Sequence, residues 1–471
     1  MKKFNKDSYL KKLKLKRNWQ RFSKYFCVGI PCVLCLVLGI YFAYSKFFVS
    51  KEQSVVRTTV GDFIYGDVVI NAYIDGEYSS TIPGKNDGYV VDKVSCDNGA
   101  VGKWNNDKWG LLTTNLSKRT KCNVYFKKVV SKVSDIIAQL DTTGKCPTMN
   151  ADGSVNVTGL EATNGYLCKA KDAYGDSYYY RGNVTNNYVK FADKYWRIVR
   201  INGDGTVRVI YDGTSAHANG EASRDRQIGT SAFNSSYNDN AYVGYMYGQT
   251  GASTYADAHA NTNNSTIKTY IDNWYKTNIV GTTNEQYLAD NVFCNGRSIS
   301  SNKPTSNYNN LGYGTNVTAY RWYYGPWESV GYNSSMRLMC PQKNDAFTVS
   351  DITNGNGALT YPVGLLSADE IVLAGGWNAA NSGYYLYSGQ YWWASSPFDF
   401  TGNYARVRSI GSSGYANYSD YVNNNNGVRP VFNLKAEALK YGDGTASNPY
   451  RLTESLDNSS SSESGGIDTG D

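Results

Sequence analysis

His217 and His259 are the only two histidines among the 471 residues, so a Ser-His-Asp or Cys-His arrangement would have to use one of them. Both fall in a stretch rich in Asn, Gly and Ala, and no G-x-S-x-G elbow is present to raise a nucleophile on a sharp turn. H-E-x-x-H, a phosphate loop and a G-x-G-x-x-G after a strand are also missing. Asn202-Gly203-Asp204-Gly205 superficially resembles a calcium loop but lacks the spaced carboxylates and the distant Glu, and reads as a turn. Glu370, three residues after Ser367, reads as half of a capping box rather than as an acid catalyst. Paired carboxylates for glycoside hydrolysis depend on separation in space, which chain spacing does not give. The residues predict no catalysis, no metal and no cofactor.

The other chemistry legible in the chain is recognition. Residues 403–426 hold four Tyr, six Asn and four Ser in 24 positions. Tyr offers a large amphipathic contact with two torsions to freeze, while Asn and Ser offer adaptable hydrogen bonds. The expected contact residues are Tyr404, Tyr415, Tyr418 and Tyr421, with Asn417, Asp420, Asn423, Asn424, Asn425 and Asn426 as hydrogen-bonding partners. Arg406 and Arg408 would supply a charged or bidentate contact. A second candidate surface is the long aromatic segment 307–329, through Tyr320, Trp322, Tyr323, Tyr324 and Trp327. Against both stands the plainer reading of polar loops and of aromatics covering a core, since Tyr occurs 42 times in the chain.

Recognition residues need a frame. An aromatic entry (Tyr391, Trp392, Trp393, Pro397) leads to an expected strand over 404–410, a Gly/Ser turn, a polar tip and a last strand over 427–434. In that last strand Val428, Pro430, Phe432 and Leu434 alternate with Arg429, Val431 and Asn433, so one face can be buried.

The W-x-S-S-P … G-V-R-P-x-x-x-L frame resembles the C-terminal frame of bacterial C-type-lectin-fold proteins. These include the variable proteins of diversity-generating retroelements, the formylglycine-generating-enzyme-like fold and related domains of unknown function. Trp392, Trp393, Ser395, Ser396, Pro397, Gly427, Val428, Arg429, Pro430 and Leu434 carry the resemblance, with LLSADEIVLAGG at 365–376 before the closing strands. It implies a C-type-lectin-like α+β domain used as a ligand-binding scaffold, diversified at adenine-rich codons in the retroelement case. Formylglycine-generating relatives use reactive cysteines late in the fold. Here the last cysteine is Cys340, well before the frame, which argues against that oxidase activity. The Glu-Pro-Asn type calcium motif of sugar-binding lectins is also absent.

The rest of the chain positions this domain. Residues 1–24 carry ten Lys and Arg against Asp7, and 25–45 are 21 uncharged, mostly apolar positions, long enough to span a bilayer. Basic residues on the N-terminal side predict a single-pass transmembrane helix with residues 1–24 cytoplasmic and the bulk extracellular; a cleaved signal peptide is the alternative. A stalk (46–59), a small β-sandwich-like module (60–128), a connecting helix or linker (129–145), the large domain (146–452) and a disordered acidic tail (453–471) would follow. Beyond residue 51 there are 35 Lys and Arg against 39 Asp and Glu, which excludes the basic face of a nucleic-acid binder. The expected partners are therefore an extracellular protein or glycan, and the lipid bilayer through 25–45. Six cysteines outside the apolar span permit fifteen pairings. Consecutive pairing, Cys96–Cys122, Cys146–Cys168 and Cys294–Cys340, keeps each bridge within one expected segment, and an oxidising exterior favours bridge formation. The runner-up role is a structural or adhesive envelope protein with no specific ligand.

Overall fold

The computed structural model describes residues 68–84, 88–105, 109–115, 120–128, 130–157, 162–300, 322–328, 335–377, 379–416 and 418–455, plus short pieces at 14–15, 53–55 and 64–65. The chain divides into two units, Met1–Lys128 and Val129–Asp471.

The first unit contains β1 (Val68–Ile74), β2 (Tyr89–Cys96), β3 (Gly110–Thr114) and β4 (Thr120–Lys128), of which β1, β2 and β4 are rich in β-branched and aromatic residues. Strand β4 lies between β1, to which it is parallel, and β2, to which it is antiparallel. Asp75 and Gly76 both take positive φ (50° and 93°), as a tight two-residue turn after β1 requires. The core is small: Ala72, Trp109, Leu111, Cys122, Val124 and Phe126. Trp104 and Trp109 meet each other edge to face at 5.4 Å and both pack on Phe126, as part of this core. With so little apolar area, the Cys96–Cys122 bridge carries weight. Replacing both cysteines by Ser is expected to cost this unit about 2–5 kcal/mol, read as a fall in its melting temperature.

The second unit begins with α1 (Val133–Ile137), the expected connecting helix, which buries Val133 and Ile136. Then come β5 (Tyr166–Asp172), β6 (Gly175–Arg181), β7 (Tyr188–Phe191), β8 (Lys194–Ile201) and β9 (Val207–Gly213). Asp204 closes the β8–β9 turn by accepting from the backbone N–H and the hydroxyl of Thr206, so this stretch is the expected turn and not a cation loop. Short β10 (Thr230–Ala232) precedes α2 (Thr266–Asn278), whose Ser265 cap accepts from Lys268 N–H and whose Ile267 and Ile271 face inward. The chain ends through β11 (Val363–Gly364), α3 (Ala368–Leu373), β12 (Trp392–Phe400), β13 (Ala405–Ile410), β14 (Tyr418–Tyr421), β15 (Asn425–Gly427) and β16 (Val431–Leu434). One sheet runs β5-β6-β8-β9-β16-β11, with β7 on β8; the other runs β10-β15-β12-β13-β14.

The expected single last strand is therefore two strands in two sheets. Asn425–Gly427 pairs with Thr230–Ala232, and Val431–Leu434 pairs with Val207–Ile210. The switch falls at Val428-Arg429-Pro430, where proline offers no N–H to a ladder. Both faces of this segment are covered, so the alternation of Val428, Phe432 and Leu434 does not mark a half-exposed strand.

Two expectations are corrected. The α+β class fails because the unit is mostly β: α2, at 13 residues, is the longest helix among the described residues. The Asn-, Ser- and Gly-rich stretches make turns and short bridges instead of helices. Among the described residues no helix is long and apolar enough to cross a membrane. α2 spans roughly 20 Å and carries Lys and Asp, against an apolar thickness of about 30 Å. The expected anchor, with the single-pass, mostly extracellular placement that rested on it, is corrected accordingly. Residues 25–45 lie outside the described residues, as do 456–471 of the tail. The three disulfides pair as expected.

Candidate functional site

The frame is rigid for identifiable reasons. Trp392 and Trp393 are buried, and Trp393 Nε1 donates to Ser231 O on β10, across the intervening β15. Arg429 is held at all three nitrogens: Nε donates to Tyr211 O, Nη1 to Leu386 O and Nη2 to Asp212 at 2.9 Å. Its guanidinium lies 5.0 Å from the Trp392 ring. Asp212 also receives Arg226, at 2.7 Å, and stands 3.8 Å from Arg197; all four side chains are fully buried. A second buried cluster joins Asp172, Arg200, Glu370 and Arg208. Glu370 completes the predicted capping box on α3 and is also the shared partner of two guanidiniums. Sequence reading found the cap and missed the guanidiniums, which come from β8 and β9.

On this frame the tyrosines separate into two clusters. Tyr404 packs on Tyr421 at 5.0 Å and stacks on Tyr237 at 5.2 Å; Tyr391 meets Tyr418 at 5.4 Å. Register explains the division. Tyr421 lies opposite Arg406 and Tyr418 opposite Ser409, so Tyr418 and Tyr421 project to opposite sides of β14. All five rings are between 38% and 43% exposed. Tyr237 and Tyr391 were not among the sequence candidates: Tyr237 is remote in sequence, and Tyr391 was read as frame. Tyr415 is half-buried.

The edge strand is closed by its own turn. Val422 N–H donates to Ala405 O, so by antiparallel alternation the backbone groups of Tyr421 point away from β13. Tyr421 N–H is taken by Asp420 Oδ1, and Tyr421 C=O accepts from Asn424 N–H. Asp420 also accepts from the side-chain amides of Asn424 and Asn426. These groups hold the turn, leaving side chains rather than an open backbone edge for contact. Asn423, Asn424 and Asn425 are exposed; Asn426 is buried and is corrected from contact residue to turn support.

Other expectations also change. Arg408 is buried, donates to Pro326 O and lies 4.9 Å from the Phe398 ring, so it is structural. Arg406 forms a two-pronged ion pair with buried Asp399, at 2.7 and 2.5 Å, so its fork is already engaged. Tyr324 is buried against the frame, its N–H donating to Phe398 O, and is no surface contact. Tyr320 and Asn417 lie outside the described residues, as do the side chains of Trp322, Tyr323 and Trp327. A cleft of about 260 Å³ lined by Cys294, Pro326, Arg337, Met339 and Asp369 adjoins that second segment.

Both histidines are engaged in internal contacts. Both ring nitrogens of His217 face carboxylates, Nδ1 to Glu221 at 2.7 Å and Nε2 to Asp225 at 2.8 Å. His259 is buried, and burial, with the charge of Arg297, pushes its pKa well below the usual value. Arg297 only donates, so His259 Nδ1 accepts from it at 3.2 Å. Among the described residues no group of three or more His, Cys, Asp or Glu is placed to hold a metal ion.

Comparison with curated proteins and with solved structures yields no match. Residues 302–436, which include the frame and both tyrosine clusters apart from Tyr237, match a family model described as a domain of unknown function, DUF6273.

Proposed function

We propose that the chain is a binding protein rather than an enzyme, and that its contact surface is the tyrosine-lined edge formed by β13, β14 and the turn to β15. The observation that carries this reading is the pair of clusters Tyr237–Tyr404–Tyr421 and Tyr391–Tyr418, half-open on a frame locked by buried Trp and Arg. Partly exposed rings held in place lose little entropy on contact, and Asn423 to Asn425 add exposed amides beside them. The ligand class is a protein or a glycan. Both histidines are engaged in internal contacts, which favours binding over catalysis.

The test is saturable binding of the full chain to arrays of immobilised oligosaccharides and of peptides, repeated with Tyr237, Tyr404, Tyr418 and Tyr421 replaced by Ala. Each ring contributes about 1–2 kcal/mol at a contact, so the fourfold variant is expected to lose at least 100-fold in affinity while its melting temperature falls by only a few degrees. Unfolding of the variant would make these rings core; unchanged binding would place the site elsewhere. A sharper form of the proposal, resting on the resemblance to retroelement variable proteins, is that codons of 403–426 are diversified. Deep sequencing of the gene's 3′ end should then find adenine-directed substitutions at the exposed positions and a constant Arg408. A uniform sequence would leave a fixed binding surface.

A further inference from the structure

We propose that residues 214–225 form a proton-operated latch, closed by the His217 imidazolium between Glu221 and Asp225. It rests on geometry independent of the tyrosine clusters. The His217 side chain is buried, yet both ring nitrogens lie within 2.7–2.8 Å of carboxylate oxygens. A neutral imidazole has one N–H and one lone pair, so it can satisfy only one of two carboxylates and sets its lone pair against the other. The protonated ring donates to both. The arrangement therefore requires the proton.

The acidic groups around the ring favour the same state. Glu221 and Asp225 come from the segment itself, and Asp212 from the end of β9. Tyr188 of β7 donates its hydroxyl to His217 O, and its ring packs on Arg197 at 3.8 Å. Arg226, Arg197 and Arg429 lie behind Asp212, on which their charge converges. Burial alone would lower the His217 pKa; hydrogen bonds to Asp225 and Glu221, with the charges of Glu221 and Asp212, outweigh it and raise the pKa. The pKa of Asp225 is lowered: burial opposes this, and the His217 and Thr214 contacts overcome it.

What the latch holds is specific. Gly213, at φ +131°, leaves no room for a Cβ: one there would stand 2.5 Å from Asp225 Oδ2 and 2.9 Å from the His217 ring. The segment is tied to the body by Asn219 donating to Val184 O and by Ser223 N–H donating to Ser388 O. Ser388 is three residues before Tyr391, and Ile228 N–H bonds Val428 O just after β15. Opening the segment would therefore loosen the support of the Tyr391–Tyr418 cluster, which on the reading above is part of the binding surface.

The sign follows from the raised pKa. Latch stability is fully present below the unfolded His value, near 6.5 in model peptides, and is lost as pH rises through the folded pKa. The experiment is amide hydrogen exchange of the full chain from pH 6 to pH 9, corrected for intrinsic rates, beside a titration of the His217 ring by NMR. Protection of 214–225 is expected to fall roughly tenfold or more across the ring's titration, as two charge-assisted hydrogen bonds are reduced to one. Protection of β8 and β9 should stay constant. His217→Gln should exchange rapidly at every pH; Glu221→Gln, a milder change at a half-exposed partner, should move the transition to lower pH. Protection of 214–225 that does not change while the ring titrates overturns the latch, as does a His217→Gln variant protected like the wild type. Neither readout involves a ligand, so the latch and the binding surface can fail separately.

Discussion

Asp212→Ala is expected to leave the second unit largely unfolded under conditions where the wild type is native. One fully buried carboxylate faces Arg226 at 2.7 Å, Arg429 at 2.9 Å and Arg197 at 3.8 Å. The cluster already carries an excess of positive charge, which is sustained because the guanidiniums also donate to Tyr385 O, Glu221 O, Leu386 O, Tyr211 O and Val184 O. Removing the carboxylate leaves three desolvated cations with no counter-charge, and breaking even one buried pair costs about 3–5 kcal/mol. Total stabilities of about 5–15 kcal/mol leave little beyond that. Denaturant unfolding of the full chain is the measurement, with the first unit's own transition as an internal reference. Asp212→Asn keeps the shape and an acceptor and should be damaging but less so. A loss below about 1 kcal/mol for Asp212→Ala would mean that the carbonyls alone carry the guanidiniums.

The distinction between what sequence did and did not reveal follows the range of the interactions. The Asn202–Gly205 turn and the Ser367/Glu370 capping box are local and were legible, because each is set by residues within a few positions. The disulfides were legible because pairing the six cysteines consecutively keeps each bridge within one segment. The split of 425–434 between two sheets was not, since Asn425, Asn426 and Gly427 carry no apolar pattern and the two pairings are set by long-range partners, β10 and β9. The arginines misled most. Arg408 resembles an exposed contact residue in a polar stretch, but it points under the sheet toward Pro326, a partner 82 positions away. Of the four tyrosines expected at the surface, Tyr404, Tyr418 and Tyr421 are exposed and Tyr415 is half-buried, and a three-residue spacing on a strand places Tyr418 and Tyr421 on opposite sides.

Glu370→Ala is expected to produce the second largest loss, for two separable reasons. The side chain accepts from Arg208 at 2.8 Å and Arg200 at 3.1 Å, and its other oxygen accepts from Ser367 N–H at 2.9 Å. The ionic part is less severe than at Asp212, since Arg200 keeps Asp172 at 2.5 Å and Arg208 keeps Asn433 and Val292 O. The cluster has two acids and two bases, so truncation leaves one unmatched cation, at about 3–5 kcal/mol. Loss of the capping box adds about 1 kcal/mol and frees the first turn of α3, against which Ser396 and the frame strand β12 are bonded. Glu370→Gln separates the terms, because its amide oxygen can still accept from Ser367 N–H or from an arginine while the charge is gone. It should recover the cap and little of the rest. The pH dependence supplies an independent check. Burial alone would raise the Glu370 pKa; the charges of Arg208 and Arg200 and the Ser367 N–H overcome it and hold it below the usual value. A depressed carboxylate contributes stability above its unfolded pKa, about 4.3, and loses it as pH falls through the folded value. Wild-type stability should therefore decline on acidification more steeply than that of Glu370→Gln, and parallel acid limbs would exclude Glu370 as a source of the acid sensitivity.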